Sequence, residues 1–173
     1  MPDAIRVRTL HDVGEREIQE LSDVLIDCVE GGASVSFMLP IARGTALAFW
    51  RDVGAAVRRR ERILIAAQDA AGQILGTVQV IFAQFENQPH RADIAKMLVH
   101  RRARRHGAGA ALLAAAERAA RSAGKTLLVL DTASGDAERL YAKQGWQRCG
   151  VIPGYALLPG GGLCDTTFFY RAL

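Results

Sequence analysis

Residues 91–122 read RADIAKMLVHRRARRHGAGAALLAAAERAARS: a strand, a basic turn and a long helix in succession. The run Ala92 to Val99 carries Ile94, Met97, Leu98 and Val99, an apolar stretch of strand length. From near Gly109 onward, Leu112, Leu113, Ala116, Ala119 and Ala120 recur at helical spacing, and Gly124 is placed to end the helix. Between the two stand His100, Arg101, Arg102, Arg104, Arg105, His106, Gly107 and Gly109. Glycines at a strand-to-helix turn let the backbone approach a ligand with no Cβ in the way. The first turn of a helix offers unpaired N–H groups and the positive end of a dipole, so an anion is the expected guest. Arginine adds charge suited to phosphate oxygens. The plainer alternative is a solvated basic turn before an amphipathic helix.

Working outward, 173 residues fit one domain, 1–173, long enough for a sizeable core. Half the residues are hydrophobic, which marks a globular rather than a disordered chain. A net charge of +4 favours anionic ligands without requiring nucleic acid. The three cysteines Cys28, Cys149 and Cys164 are far apart and show no Cys-x-x-Cys spacing. Metal ligation and a disulfide framework are therefore not expected, and a reducing cytoplasm is the expected compartment. The start, Met1 to Arg6, lacks the apolar core of a signal peptide, and no stretch suits a bilayer span.

Ile5 to Arg8 alternates and reads as an edge strand. Asp12 is a candidate cap for a helix with Ile18, Leu21, Leu25 and Cys28 on one face, stopped by Gly31 and Gly32. Pro40 suits the first turn of a second helix carrying Leu47, Trp50, Val53 and Val57. Ile63 to Ala67 and Gln73 to Phe82 read as strands joined by a turn at Asp69 to Gly72. After the polar loop Gln84 to His90 and the segment already described, Thr126 to Leu130 is a continuous apolar run, as for a strand buried on both faces. A short helix covers Asp136 to Gln144 and ends at Gly145. Strands follow at Trp146 to Ile152 and Thr166 to Tyr170. The sum is an α/β fold with a mixed sheet of about seven strands and about four flanking helices.

The glycine pattern is neither Gly-x-Gly-x-x-Gly nor Gly-x-x-x-x-Gly-Lys-[Ser/Thr]. Arg104-x-x-Gly107-x-Gly109 instead resembles the pyrophosphate-binding motif of the GNAT superfamily of acyl-CoA-dependent N-acetyltransferases. Ala137-Glu138-Arg139-Leu140-Tyr141, followed by Gly145 and Trp146, resembles that superfamily's second signature. The element order is also similar, over essentially the whole chain. Gly31 to Val35 with Phe37 and Met38, Lys96-x-Leu98-Val99, Leu130 to Thr132 and Pro153 to Tyr155 further resemble a GNAT subgroup that acetylates a β-lactam-containing amino acid toxin.

The resemblance implies acetyl-CoA as cosubstrate and a small-molecule amine as acceptor. It implies that the backbone of Met97, Leu98 and Val99 binds the pantetheine arm as an added strand would. It implies too that the turn Arg104, Arg105, His106, Gly107, Ala108, Gly109 and Ala110 holds the pyrophosphate. Tyr141 matches the tyrosine that protonates the leaving thiolate; a phenol near ~10 and a thiol near ~8.5 make that transfer accessible. Two carboxylates compete for the base. Asp131 follows the strand Thr126 to Leu130, at the C-terminal end where α/β sheets gather their sites, and Asp93 lies four residues before Met97, where several GNAT enzymes carry a carboxylate. Gly32, Ser34, Phe37 and Met38 combine backbone donors, a hydroxyl and an apolar wall, which suits a compact zwitterionic acceptor. An α-amine near ~8 is already partly neutral at pH 7, unlike a lysine amine near ~10.4, so a weak base suffices for an amino acid.

Other classes remain in view. A protein or peptide amine is an alternative acceptor, and a silent acyl-CoA-binding module an alternative of another class. A nucleic-acid-binding module lacks aromatics interleaved with the arginines and lacks a helix-turn-helix pattern. Neither nucleic acid, membrane nor metal is expected as a partner, and a homodimer is allowed for.

Overall fold

The computed structural model describes residues 5–173. In chain order the elements are β1 (Arg6–Leu10), α1 (Glu15–Glu30), α2 (Arg43–Arg58), β2 (Arg62–Gln68), β3 (Ile74–Phe82), β4 (Arg91–Val99), α3 (Ala108–Ser122), β5 (Leu127–Thr132), α4 (Gly135–Lys143), β6 (Gln147–Leu157) and β7 (Leu163–Ala172). A single turn of 3₁₀ helix at Arg101–Ala103 joins β4 to α3. The strands form one sheet in the order β1-β2-β3-β4-β5-β7-β6, antiparallel except for the β4–β5 pair.

Two apolar clusters lie on the two faces of this sheet. One gathers Ile18, Leu21, Leu25 and Cys28 of α1 with Trp50 and Val53 of α2, over Leu64, Ala66 and Leu98. The other gathers Leu112, Leu113, Ala116 and Ala120 of α3 with Tyr141 and Trp146, over Ile65, Val80, Ile94 and Leu128. The helical spacing in the sequence therefore marks the faces that are buried. Trp146 Nε1 donates to Glu117 Oε1 (2.8 Å), which ties α3 to the start of β6.

Three local expectations need correction. α1 begins at Glu15 with Gly14 as cap, and Asp12 spends its Oδ1 on the N–H of Val13 (3.0 Å). α2 begins at Arg43 after Ala42, so Pro40 belongs to the preceding connection; its fixed φ serves a loop as readily as a helix start. β5 is buried alternately, Leu128 and Leu130 inward against the α3 cluster, with Asp131 exposed. β6 and β7 run longer than the apolar runs that reveal them, because they pair with each other in a protruding hairpin.

Candidate active site

β4 and β5 pair only through Arg91, Ala92 and Asp93, opposite Leu127, Leu128 and Val129. Beyond Asp93 the strands part. A bulge in β4 contributes to this. Leu98 stands opposite Thr77 and Ala95 opposite Gln79, so Lys96 and Met97 face the single residue Val78. Lys96 takes up the bulge with φ +47°, in the left-handed region. The parting strands open a cleft of about 1010 Å³, whose walls include Met97, Leu98 and Val99. Among the described residues the edge of β4 facing β5 has no strand partner there, so its backbone groups are open to an extended ligand. Arg104 Nε donates to the Val99 carbonyl (3.2 Å), and the Cys28 thiol donates to the same oxygen (3.5 Å).

At one end of the cleft, Arg105 (φ +65°) and Gly107 (φ +81°) curve the chain into the start of α3. Ala111 donates to the Gly107 carbonyl (3.0 Å) as the first bond of the helix. Among the described residues, the N–H groups of 105–110 have no backbone acceptor. A Cβ built on Gly107 meets only open space, whereas one on Gly109 would touch Leu140 Cδ2 at 3.3 Å. This is a concave backbone cradle with positive dipole character, and it fits a pyrophosphate. Arg104, Arg105, Gly107, Ala108 and Gly109 line the cleft; His106 and Ala110 are not part of its wall. The other two arginines have structural partners. Arg101 donates through its backbone N–H and Nε to Asp27, and Arg102 donates to Gln73 Oε1. Burial acts to raise the Asp27 pKa, but these bonds from Arg101 and the charges of His100 and Arg101 outweigh it and hold it below its ordinary value.

Tyr141 is 4% exposed, packed between Trp146 and Phe169, and lines the cleft. Among the described residues nothing hydrogen-bonds its hydroxyl. Burial, and then the nearby Asp131 charge, push its pKa well above the ordinary phenol value. Asp131 also lines the cleft; its Oδ2 accepts from the buried Thr166 hydroxyl (3.0 Å). Ser134 caps α4 by accepting from the Ala137 N–H (3.3 Å), and the Thr167 hydroxyl donates to Glu138 (2.7 Å); together these fix the helix that carries Tyr141. Asp93 stands elsewhere. It lies in the paired part of β4, bound to Arg91 Nη1 (2.6 Å), and is not part of the cleft wall.

The α1–α2 connection also lines the cleft: it starts beside the basic turn, where a Cβ on Gly31 would meet Arg101 Cδ at 3.1 Å, and Gly32, Ser34, Phe37 and Met38 continue the wall to Tyr155, Leu157 and Cys164 of the β6–β7 hairpin. The Ser34 hydroxyl donates to the Leu157 carbonyl (3.0 Å) and the Leu39 N–H donates to the Pro159 carbonyl (2.9 Å). Phe37 presents its ring edge-on to Phe49 (centroids 5.3 Å apart), while Met38 is 45% exposed at the rim. Lys96 and Tyr155 stand among the residues of the resemblance but without a role; the bulge at Lys96, the Arg104–Val99 contact and the hairpin wall emerge only in the fold. A lysine in a strand ordinarily signals a solvated face, and no glycine or proline marks this bulge.

Among the described residues no group of three His, Cys, Asp or Glu side chains could hold a metal ion, and no helix is long and apolar enough to cross a membrane. A seven-stranded mixed sheet split at its centre, with an anion cradle at the split, is the frame of an acyl-CoA-dependent transferase. The chain belongs to the acetyltransferase (GNAT) family, whose profile matches residues 34–146. Solved structures share the fold. A ribosomal-protein-alanine N-acetyltransferase from Brucella melitensis is 24% identical, over 97% of this chain and 99% of that one, with a TM-score of 0.78. A protein described as a candidate phosphinothricin N-acetyltransferase is 18% identical, over 98% of this chain and 99% of that one, with a TM-score of 0.79. A candidate acetyltransferase from Salmonella typhimurium, solved with its cofactor acetyl-CoA, is 18% identical, over 99% of this chain and 95% of that one, with a TM-score of 0.78. The protein is thus a GNAT-type N-acetyltransferase, and its cosubstrate is acetyl-CoA.

Proposed function

We propose that this enzyme, as one domain, acetylates the amine of a small amino-acid-like acceptor. A tabtoxin-type β-lactam amino acid falls within that class, which would make the activity a toxin or antibiotic resistance. The observation that carries the reading is the closed acceptor end of the cleft. The Ser34–Leu157 and Leu39–Pro159 bonds tie the α1–α2 connection to the β6–β7 hairpin, so a peptide chain running through would have to part that seam. A compact acceptor needs no such opening.

Bound acetyl-CoA supplies the activated acetyl thioester. The free edge of β4 at Met97 to Val99 orients its arm, and the N–H groups of 105–110 hold its pyrophosphate, with Arg105 nearby. Asp131 Oδ1 or Oδ2 accepts the proton of the acceptor's ammonium. The neutral amine forms the new C–N bond as the C–S bond breaks. Tyr141 Oη gives its proton to the departing sulfur and is reprotonated by the second proton that the nitrogen loses as the amide forms. Burial raises the phenol pKa, but a thiolate leaving into the same dry pocket becomes more basic for the same reason. Asp131 is the second cause of the Tyr141 shift. When Asp131 takes up the acceptor's proton that cause is removed, so base action eases the acid action that follows. Asp93, bound to Arg91 away from the cleft, has no part in this scheme.

The test is release of CoA by the purified enzyme with an acceptor panel: ordinary amino acids, a tabtoxin-type β-lactam amino acid, a lysine peptide and an N-terminal alanyl peptide. We expect turnover within the amino-acid class. Preference for the lysine peptide would defeat the acceptor assignment.

A further inference from the structure

One cation at the acceptor end of the cleft takes no part in the chemistry above. Lys96 sits at the bulge of β4 with φ +47°, a conformation that side-chain-bearing residues rarely keep without a local reason. Its Nζ donates to Ser36 Oγ (3.0 Å) and lies 5.9 Å from the centroid of the Phe49 ring. Ser36 is itself left-handed, at φ +79°. The bulge at Lys96 and the left-handed Ser36 bring the ammonium and the hydroxyl together.

That contact leaves the ammonium under-matched. It has three donors and a full charge, yet among the described residues its one hydrogen-bond partner is a neutral hydroxyl and no carboxylate pairs with it. Burial lowers its pKa; Asp131 opposes this from across the cleft, and Arg62 adds to it. A partly buried cation without a counter-ion is a place for an anionic ligand group. The pyrophosphate does not supply that group. Ser36 and Phe49 belong to the α1–α2 side of the sheet, whereas the phosphate cradle opens α3, which packs on the other face. Lys96 and Asp131 line the same cleft. A cation and a proton-accepting carboxylate so arranged match the carboxylate and the ammonium of one amino acid.

We propose that Lys96 determines acceptor specificity by binding the free α-carboxylate of an amino acid whose amine faces Asp131. The inference rests on the small-acceptor reading and narrows it. A peptide N-terminus carries an amide at that position, and polyamines and aminoglycosides carry no carboxylate.

The test compares the best amino acid of the panel with its own carboxamide, and with an N-terminal alanyl peptide. The intact enzyme should favour the free acid about 10- to 100-fold in kcat/KM, the range for one hydrogen bond to a charged group. Lys96→Met should abolish that preference through the acceptor KM and leave the KM for acetyl-CoA unchanged. Lys96→Gly provides a second variant that removes the charge and suits the left-handed backbone better than lysine. Lys96→Arg should restore part of the preference. Equal use of acid and carboxamide by the intact enzyme, or a preference that survives in a folded Lys96→Met or Lys96→Gly protein, overturns the inference and leaves the small-acceptor reading standing. Turnover of the peptide with no amino acid used removes both.

Discussion

Tyr141 joins apolar packing to the proton-donor role proposed for it. Its ring fills the core between Trp146 and Phe169, while its hydroxyl has no hydrogen-bond partner among the described residues. That oxygen is not sealed in the core: it opens onto the cleft, where a ligand can reach it. With its pKa raised, Tyr141 stays protonated throughout the neutral and mildly alkaline range, as a proton donor must. Tyr141→Phe keeps the ring packing and removes only the proton. We expect unchanged acetyl-CoA affinity and a kcat lowered by ~10²–10⁴ fold, the usual range for lost acid–base help. Steady-state kinetics beside a CoA-binding titration checks this, and wild-type turnover would return Tyr141 to packing alone. The residue was legible because its signature surrounds it in sequence. The role proposed for Lys96 was not, since it rests on a bulge and on Ser36, sixty positions away.

At the scale of elements, the strand–turn–helix of residues 91–122 was readable because its pieces announce themselves locally. Apolar run length marks β4, helical spacing marks α3, and Gly107 and Gly109 mark the turn between them; that Gly107 is left-handed appears only in the fold. The parting of β4 from β5 was not readable, because it depends on pairing across the chain and on a bulge opposite Val78. The two carboxylates divide for the same reason: Asp93 falls before the split and Asp131 after it. The turn itself makes a sharp prediction. In Gly107→Val a branched side chain would strain a backbone at φ +81° and so distort the turn whose N–H groups form the cradle. We expect acetyl-CoA affinity to fall about 10- to 100-fold, as for loss of charge-assisted hydrogen bonds to phosphate. Calorimetry on the variant, with its fold checked by circular dichroism, measures this. Unchanged affinity in a folded variant would move the pyrophosphate elsewhere.

Across the whole molecule, the cleft is closed by a seam between parts far apart in sequence. The α1–α2 connection meets the β6–β7 hairpin through Ser34 to Leu157, Leu39 to Pro159 and the Cys164 thiol to Ser34 Oγ (3.6 Å). The sequence suggests Ser34 as a direct ligand for the acceptor, yet in the fold its hydroxyl proton is already committed to Leu157. Its oxygen can still accept a hydrogen bond from the acceptor, and its bond to Leu157 adds an effect through the position of the loop. Ser34→Ala removes one tie worth about 0.5–1.5 kcal/mol, so the acceptor KM should rise about 3- to 10-fold. Phe37→Ala removes the edge-on contact with Phe49; because Phe37 is only half-buried, its stability cost should stay below the ~3–5 kcal/mol typical of a fully buried phenylalanine. In both variants the KM for acetyl-CoA should hardly move, since the cradle at α3 is built on the other face of the sheet. A loosened seam should also admit longer acceptors, so Ser34→Ala should gain turnover of the alanyl peptide relative to the best amino acid. Thermal unfolding run beside the kinetics separates the cases. Parallel loss of both KM values with a lowered Tm would make the seam scaffolding, whereas a change confined to the acceptor would make it the wall that selects acceptor size.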